Sequence, residues 1–306
     1  MKSMQPERKF VLHRNDQGIP VDRIIKVIES KSAEFKSCPE TSVIIPTCDG
    51  YRDGYFPKLL AQINQQDFEG FQILVVKGDQ RQGRAINIAA AMSKGKYLLT
   101  LDDDTMLPDN NTFKKLVGVL EKYPEIGIAG GNNIIPADAT PFIKQAMKQI
   151  PRRSWQAVSK ITISDLAEHP CMIMRAKDFK KVGGENELIY RGLDPYLREE
   201  FRKLNKLVVI VPNVIYHHLP PKRAYKLFRQ FFRNGIQACI TNRLYPEWVI
   251  ETPNHHGEFQ KYKTKLQRRT RFFITLTKSI ITVRFIHFLS EMAYALGYVW
   301  GMVKKV

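Results

Sequence analysis

The chain has 306 residues, 43% of them hydrophobic and 25% charged, which is an ordinary globular mixture with enough apolar material for a full core. A formal charge of +18 and a pI near 9.7 are not ordinary and imply an anionic partner: nucleic acid, an acidic membrane surface or a phosphorylated substrate. Cys38, Cys48, Cys171 and Cys239 are scattered without a CxxC pair or zinc spacing, so a reducing, cytoplasmic setting fits best.

The opening stretch MKSMQPERKFVLHRNDQG has no apolar h-region and does not read as a secretory signal, so a cytoplasmic-side location is expected. Residues 1–40 are polar and charged. Near Val21 to Phe35, Ile24, Ile25, Val27 and Ile28 alternate with Lys and Glu, and this predicts an amphipathic helix as a preface to the domain. The catalytic domain is expected over 41–220. It opens with a β-branched run from Thr41 to Pro46, a helix-like stretch from Pro57 to Gln65 and a second strand from Phe71 to Val76. A helix over Arg84 to Ser93 and a strand over Lys96 to Leu101 follow. Then come a helix from Thr112 to Lys122, a strand around Ile126 to Ala129, a less regular segment from Asn132 to Asp165, and strands over Pro170 to Met174 and Leu207 to Val211. Strands alternating with helices of this length predict an α/β, Rossmann-like, mostly parallel sheet with helices on both faces. In such sheets ligands bind beyond the carboxyl ends of the strands.

Residues 221–306 differ in character. Lys222, Arg223, Lys226, Arg229 and Arg233 interleave with Tyr225, Phe228, Phe231 and Phe232, and no acidic residue falls between Glu258 and Glu291. This predicts a helical, basic C-terminal tail. Phe285 to Val303 nearly has the length of a membrane span, but His287 and Glu291 weigh against one. An interfacial helix on anionic lipid is the better reading, with a core helix packed on the domain as the alternative.

Asp102, Asp103 and Asp104 lie where the sheet rule puts chemistry. Three consecutive carboxylates repel one another unless a cation or hydrogen-bond donors compensate. Mg²⁺ or Mn²⁺ would take these oxygens and leave positions open for a diphosphate. A solvated acidic turn before the next helix is the structural alternative.

Several ordered motifs carry a resemblance. Val43-Ile-Ile-Pro-Thr47, Gly83-Arg-Ala-Ile-Asn87 and Leu101-Asp-Asp-Asp-Thr105 with Pro108-Asp109 resemble the successive motifs of family 2 glycosyltransferases. Val182-Gly-Gly184, Gly192-Leu-Asp194 and Val211-Pro-Asn-Val-Ile-Tyr-His217 resemble the second half of that family in the same order. The resemblance covers roughly Ser42 to Thr241 and implies the glycosyltransferase A fold, a nucleotide-sugar donor, a divalent cation and inversion at the anomeric carbon. It implies that Pro46 and Thr47 line the nucleotide site with Asp49 near the base, that Asp102 and Asp104 form the DxD pair beside metal and ribose-diphosphate with Asp103 between them, and that Arg84 faces the diphosphate. The chain departs from the family at Lys77-Gly78-Asp79, where two aspartates are usual, so the donor base stays open with Asp79 as candidate substitute.

The resemblance also assigns Asp194 as the base that takes the acceptor's proton, although Asp194-Pro195 would equally suit a helix N-cap. Leu193 stands where the family commonly has glutamate, and Glu199 and Glu200 are fallback bases. Either His217 or His218 could complete the metal site, with His217 preferred. Asp165 and His169 are candidates for the acceptor pocket. The basic, interfacial tail favours an acceptor presented at the cytoplasmic face of the membrane, such as a lipid-linked or cell-surface glycan. Two rivals are a sugar nucleotidyltransferase and a non-enzymatic basic protein binding membrane or nucleic acid. The first would need a glycine-rich basic loop where Thr47-Cys-Asp-Gly-Tyr-Arg-Asp53 is acidic; the second gives no reason for the aspartate cluster, and no nucleic-acid module is visible.

Overall fold

The computed structural model describes residues 25–28, 39–189, 191–245, 250–251, 256, 260–261 and 265–303. Aliphatic runs closed by polar or glycine stops form its strands, because such runs bury both faces of a sheet at once. β1 (Ile25–Ile28) lies at the edge, antiparallel to β3 (Phe71–Lys77). β2 (Thr41–Thr47) is parallel to both β3 and β4 (Tyr97–Thr100), with α1 (Tyr55–Ile63) and α2 (Gln82–Met92) as the crossovers.

After the short β5 (Thr105–Met106) come α3 (Thr112–Lys122), β6 (Ile126–Asn133), α4 (Pro141–Gln149) and β7 (Thr162–Ile163). β8 (Met172–Arg175), α5 (Ala176–Lys181), α6 (Leu193–Lys203) and β9 (Leu207–His218) complete the domain. The strand order is β1-β3-β2-β4-β8-β6-β9-β5, with β7 also on β9. β8 runs against both neighbours while β6 and β9 are parallel, so the sheet is mixed where the sequence read as mostly parallel. A strand paired on both sides looks equally apolar in either direction, so its polarity is invisible in its residues.

Strand alternation divides the core in two. Val43, Ile45, Leu99 and Ile173 pack one face beneath Leu59 of α1 and Phe113 and Leu116 of α3. Ile44, Leu74, Leu98 and Met174 pack the other beneath Ile86 of α2 and Leu197 and Phe201 of α6.

The amphipathic helix expected near Val21 to Phe35 is corrected at residues 25–28, which are a strand; the rest of that stretch lies outside the described residues. Its β-branched residues suit a pleated edge, and β3 supplies the pairing partner. The segment called irregular, Asn132 to Asp165, holds α4, whose start was legible in Thr140-Pro141: the Thr140 hydroxyl accepts from Ile143 N and proline occupies the first turn.

The C-terminal region is helical, as expected. α7 (Ala224–Leu244) and α9 (Phe285–Val303) cross so closely that a Cβ on Gly297 would stand 1.9 Å from the Phe232 carbonyl oxygen, and one on Gly235 2.0 Å from that of Tyr294. Ile286, Ala293 and Tyr294 of α9 pack on Leu227 and Phe231 of α7 and Ala146 of α4. The inner side of α9 is therefore a core element. No described helix is long and apolar enough to cross a membrane. Where α8 (Lys265–Ile281) turns into α9, Ile280 and Ile281 at the end of α8, Val283 in the turn and Phe285 at the start of α9 are all exposed.

Candidate active site

The site is built where β2, β4 and β9 end. β4 leads into the three aspartates, which lie in the turn just past its end. Thr47, at the end of β2, donates its hydroxyl hydrogen to Asp103 Oδ2 at 2.7 Å and accepts from Gly50 N at 3.0 Å, which ties the loop after β2 to the cluster. Asp103 thus braces the loop. Pro46, beside Thr47, is half-buried. Asp49 is spent locally: its Oδ1 accepts the backbone N–H groups of Tyr51 and Arg52, both at 2.8 Å.

Asp102 and Asp104 face His218. One ligand atom from each of the three lies within 4.8 Å of the others, a donor set of two carboxylates and an imidazole that suits Mn²⁺ or Mg²⁺. His218 Nε2 is 3.1 Å from Asp104 Oδ1 and 3.8 Å from Asp102 Oδ2. This reverses the preference for His217, whose Nδ1 instead meets the Ile134 carbonyl at 2.6 Å. The reason is pleat: successive strand residues face opposite ways, and the pairing of Thr105 with His218 sets which one faces the aspartates.

The electrostatics are uneven. Burial raises the Asp102 carboxyl to about 6 despite His218 beside it, while Gln82 Nε2 donates to its Oδ1 at 2.7 Å. Burial acts on Asp104 too, yet His218 and Arg52 hold it well below the usual carboxylate range. His218, which burial alone would discharge, is kept above the ordinary imidazole value by Asp104 and Asp102. Arg52 was not singled out by sequence reasoning. Its Nη2 and Nε reach Asp104 Oδ2 at 2.8 and 3.0 Å, and its Nε lies 3.3 Å from Asp103. The available signal was a lone arginine in an otherwise acidic loop.

Arg84 and Asp79 are joined to each other. Arg84 Nε donates to Asp79 Oδ2 at 2.6 Å and Nη2 to Oδ1 at 3.0 Å, in a buried pair that stabilises the start of α2. Neither is free to face a diphosphate or a base unless this pair opens. Asn87 of the same helix accepts from Glu185 N at 2.8 Å and donates to its carbonyl at 2.9 Å. The φ of +72° at Gly184 permits this, and a Cβ there would stand 2.5 Å from Asn87 Oδ1. Two motifs distant in sequence are thereby one structural unit.

That unit sits behind Asp194. Gly192, in the left-handed region at φ 93°, starts α6, and no side chain caps the helix, so the N-cap role considered for Asp194 is not seen. Its Oδ1 instead accepts from His169 N at 2.7 Å. The His169 ring lies between Asp194 Oδ1, 3.9 Å from Nε2, and Glu185 Oε1, 2.9 Å from Nε2, while Nδ1 meets Thr100 Oγ1 at 3.1 Å. Burial opposes charge on His169, but Asp194 and Glu185 raise its pKa to about 9. Asp194, raised by burial, is brought down on balance by His169 and Arg198 and is ionised at neutral pH.

His169, a candidate for the acceptor pocket, lies buried against Asp194 and Glu185, and Glu185 is a partner that sequence reasoning missed. Asp165, the other acceptor candidate, is fully buried and paired with Arg198 and Arg202. Glu200 is paired with Lys203 at 2.7 Å.

The family model for glycosyl transferase family 2 matches residues 44–183. Among solved structures, the chain is similar to the mannosyltransferase PcManGT from Pyrobaculum calidifontis in complex with GDP-Man and Mn²⁺, with a TM-score of 0.54 and 13% identity over 87% of this chain and 89% of that one. It is also similar to TarS residues 1–349 from S. aureus in complex with UDP, with a TM-score of 0.44 and 12% identity over 86% and 92% of the two chains. No curated protein matches it by sequence.

Proposed function

We propose that this chain, whose residues 44–183 match the family model for glycosyl transferase family 2, is a glycosyltransferase that moves a sugar from a nucleotide-sugar donor to a hydroxyl acceptor with inversion, in a metal-dependent reaction. The observation that carries this is the convergence of Asp102, Asp104 and His218 at the strand ends. A divalent cation held by these three would neutralise charge on the departing diphosphate. Everything else falls to the chain's own groups. Thr47 and Asp103 hold the loop that covers the donor, and Arg52 adds a cation at its edge.

Asp194, ionised at neutral pH, takes the proton of the acceptor hydroxyl as that oxygen bonds to the anomeric carbon. The bond from the anomeric carbon to the diphosphate breaks on the opposite face, and its electron pair leaves with the diphosphate. His169, charged and buried, holds Asp194 in place through its backbone N–H and keeps the carboxylate ionised.

The acceptor in this reading is a lipid-linked or cell-surface glycan met at an anionic membrane. The exposed apolar turn of Ile280, Ile281, Val283 and Phe285, flanked by exposed Lys278 and Arg284, supports it, since apolar side chains among basic ones suit a lipid interface. Calorimetric titration with UDP and GDP, with and without Mn²⁺, tests the core of the proposal. Asp102→Ala and Asp104→Ala should abolish the metal-dependent part of nucleotide binding with the fold intact. Unchanged metal-dependent affinity in both variants would sink it.

A further inference from the structure

Among the described residues, two arginines meet beside this site with no carboxylate in ion-pair contact with either, although Glu168, Asp104 and Asp102 act on Arg153 from further away. Arg153 Nη2 donates to Gln230 Oε1 at 3.3 Å. The Asn234 amide, in the orientation that satisfies both of its ends, donates to the Gln230 carbonyl and accepts from Arg191 Nη1, each at 3.2 Å. Gln230 and Asn234 are four residues apart on α7, so one face of that helix holds both guanidinium groups. Among the described residues, Arg52, Arg84, Arg152, Arg198 and Arg202 each pair with an acid, whereas Arg153 and Arg191 hold only neutral amides. The two are close enough that, after burial, the charge of Arg191 is the main influence lowering the pKa of Arg153. Like charges brought together cost free energy unless an anion lies between them.

Their position is defined by hydrogen bonds. Asn133 Nδ2 donates to the Arg153 carbonyl at 2.8 Å, and Asn133 Oδ1 accepts from His218 N at 3.0 Å, so one amide fastens Arg153 to the strand end that carries His218. Arg191 precedes Asp194 by three residues, across the Gly192 turn. The pair therefore spans from the aspartate–histidine cluster to the carboxylate assigned as base.

We propose that Arg153 and Arg191 bind a phosphate group carried by the sugar acceptor. This rests on the glycosyl-transfer reading, in which the acceptor hydroxyl must arrive at Asp194. The donor's diphosphate is assigned in that reading to Asp102, Asp104, His218 and Arg52, and the arginine pair is left for the acceptor. Two guanidinium forks match the several oxygens of a phosphate, and their fixed charge needs no proton. An acceptor of this class, a lipid phosphate or a phosphorylated glycan, also fits a chain with a net charge of +18.

The test is direct binding to the full-length protein saturated with Mn²⁺ and whichever of UDP or GDP it binds. Octyl phosphate represents the lipid source, glycerol 3-phosphate the soluble one, and octyl glucoside is the neutral control. Arg153→Gln and Arg191→Gln should each weaken phosphate binding by about tenfold or more, with nucleotide affinity held within about twofold, and the lysine variants should recover part of the loss. The tighter of the two phosphate probes identifies the source. Phosphate binding absent in the wild type, equal to that of octyl glucoside, or unchanged in both glutamine variants would overturn the proposal. So would a parallel loss of nucleotide affinity, which would assign the arginines to the donor. Should Arg153→Gln fail to melt cooperatively, the exposed Arg191 decides alone. If the wild type binds no nucleotide with Mn²⁺, the glycosyl-transfer reading fails by itself, and titrating the phosphates into the protein alone still reports on the arginine pair.

Discussion

Replacing Asp194 by Asn removes the basic carboxylate and retains an oxygen where His169 N donates at 2.7 Å. Loss of a positioned general base lowers transfer by roughly 10²- to 10⁴-fold, or about 2.7 to 5.5 kcal/mol at ~1.4 kcal/mol per decade. The structural cost is smaller. The hydrogen bond survives in neutral form, which forfeits about 1–2 kcal/mol, and His169 keeps Glu185 at 2.9 Å as its other partner. For a chain of this size that corresponds to a fall in melting temperature of roughly 2–8 °C. Donor and metal affinity should hold, because Asp102, Asp104 and His218 are unaltered. The assay is single-turnover transfer at saturating donor, run beside thermal melting and a nucleotide titration. A folded Asp194→Asn protein that transfers at near wild-type rate would refute the assignment of the base and return attention to Glu199 or Glu200.

His218→Ala should weaken Mn²⁺-dependent nucleotide binding about tenfold or more, while His217→Ala leaves it within about twofold; equal effects would mean that strand pleat does not select the ligand. His169→Gln leaves Glu185 buried without its cation and should cost roughly 3–5 kcal/mol, much of it recovered in the His169→Gln/Glu185→Gln double variant, as read by denaturant unfolding. The pKa of His169 in the fold, about 9, is raised above its unfolded value, so its contribution is fully present below pH ~6.5 and fades as pH rises through 9. The wild-type melting temperature should fall across that interval, and His169→Gln should lack that part of the fall. Ile281→Glu with Val283→Glu should reduce binding to anionic vesicles without changing nucleotide affinity, and unaltered vesicle binding would exclude this turn as the lipid contact.

What the residues alone determined were features that depend on local order. Apolar runs with polar stops located β2, β3, β4, β6, β8 and β9, and the three aspartates after β4 marked the site, because strand length, burial and a strand's end are properties of neighbouring residues. The motif order anticipated the match to the family 2 model over residues 44–183. The tertiary structure decided whatever depends on which strand lies beside which. Four apolar residues near the N-terminus became an edge strand because β3 offered unpaired backbone. His218 rather than His217 faces the aspartates because pairing with β5 fixes the register, and one residue of register reverses every side chain. Asp79 and Arg84 found each other, Asp165 was enclosed by arginines, and His169 joined Glu185 beneath Asp194. These groups are ionisable and their roles follow from the charges around them, which only folding brings within reach.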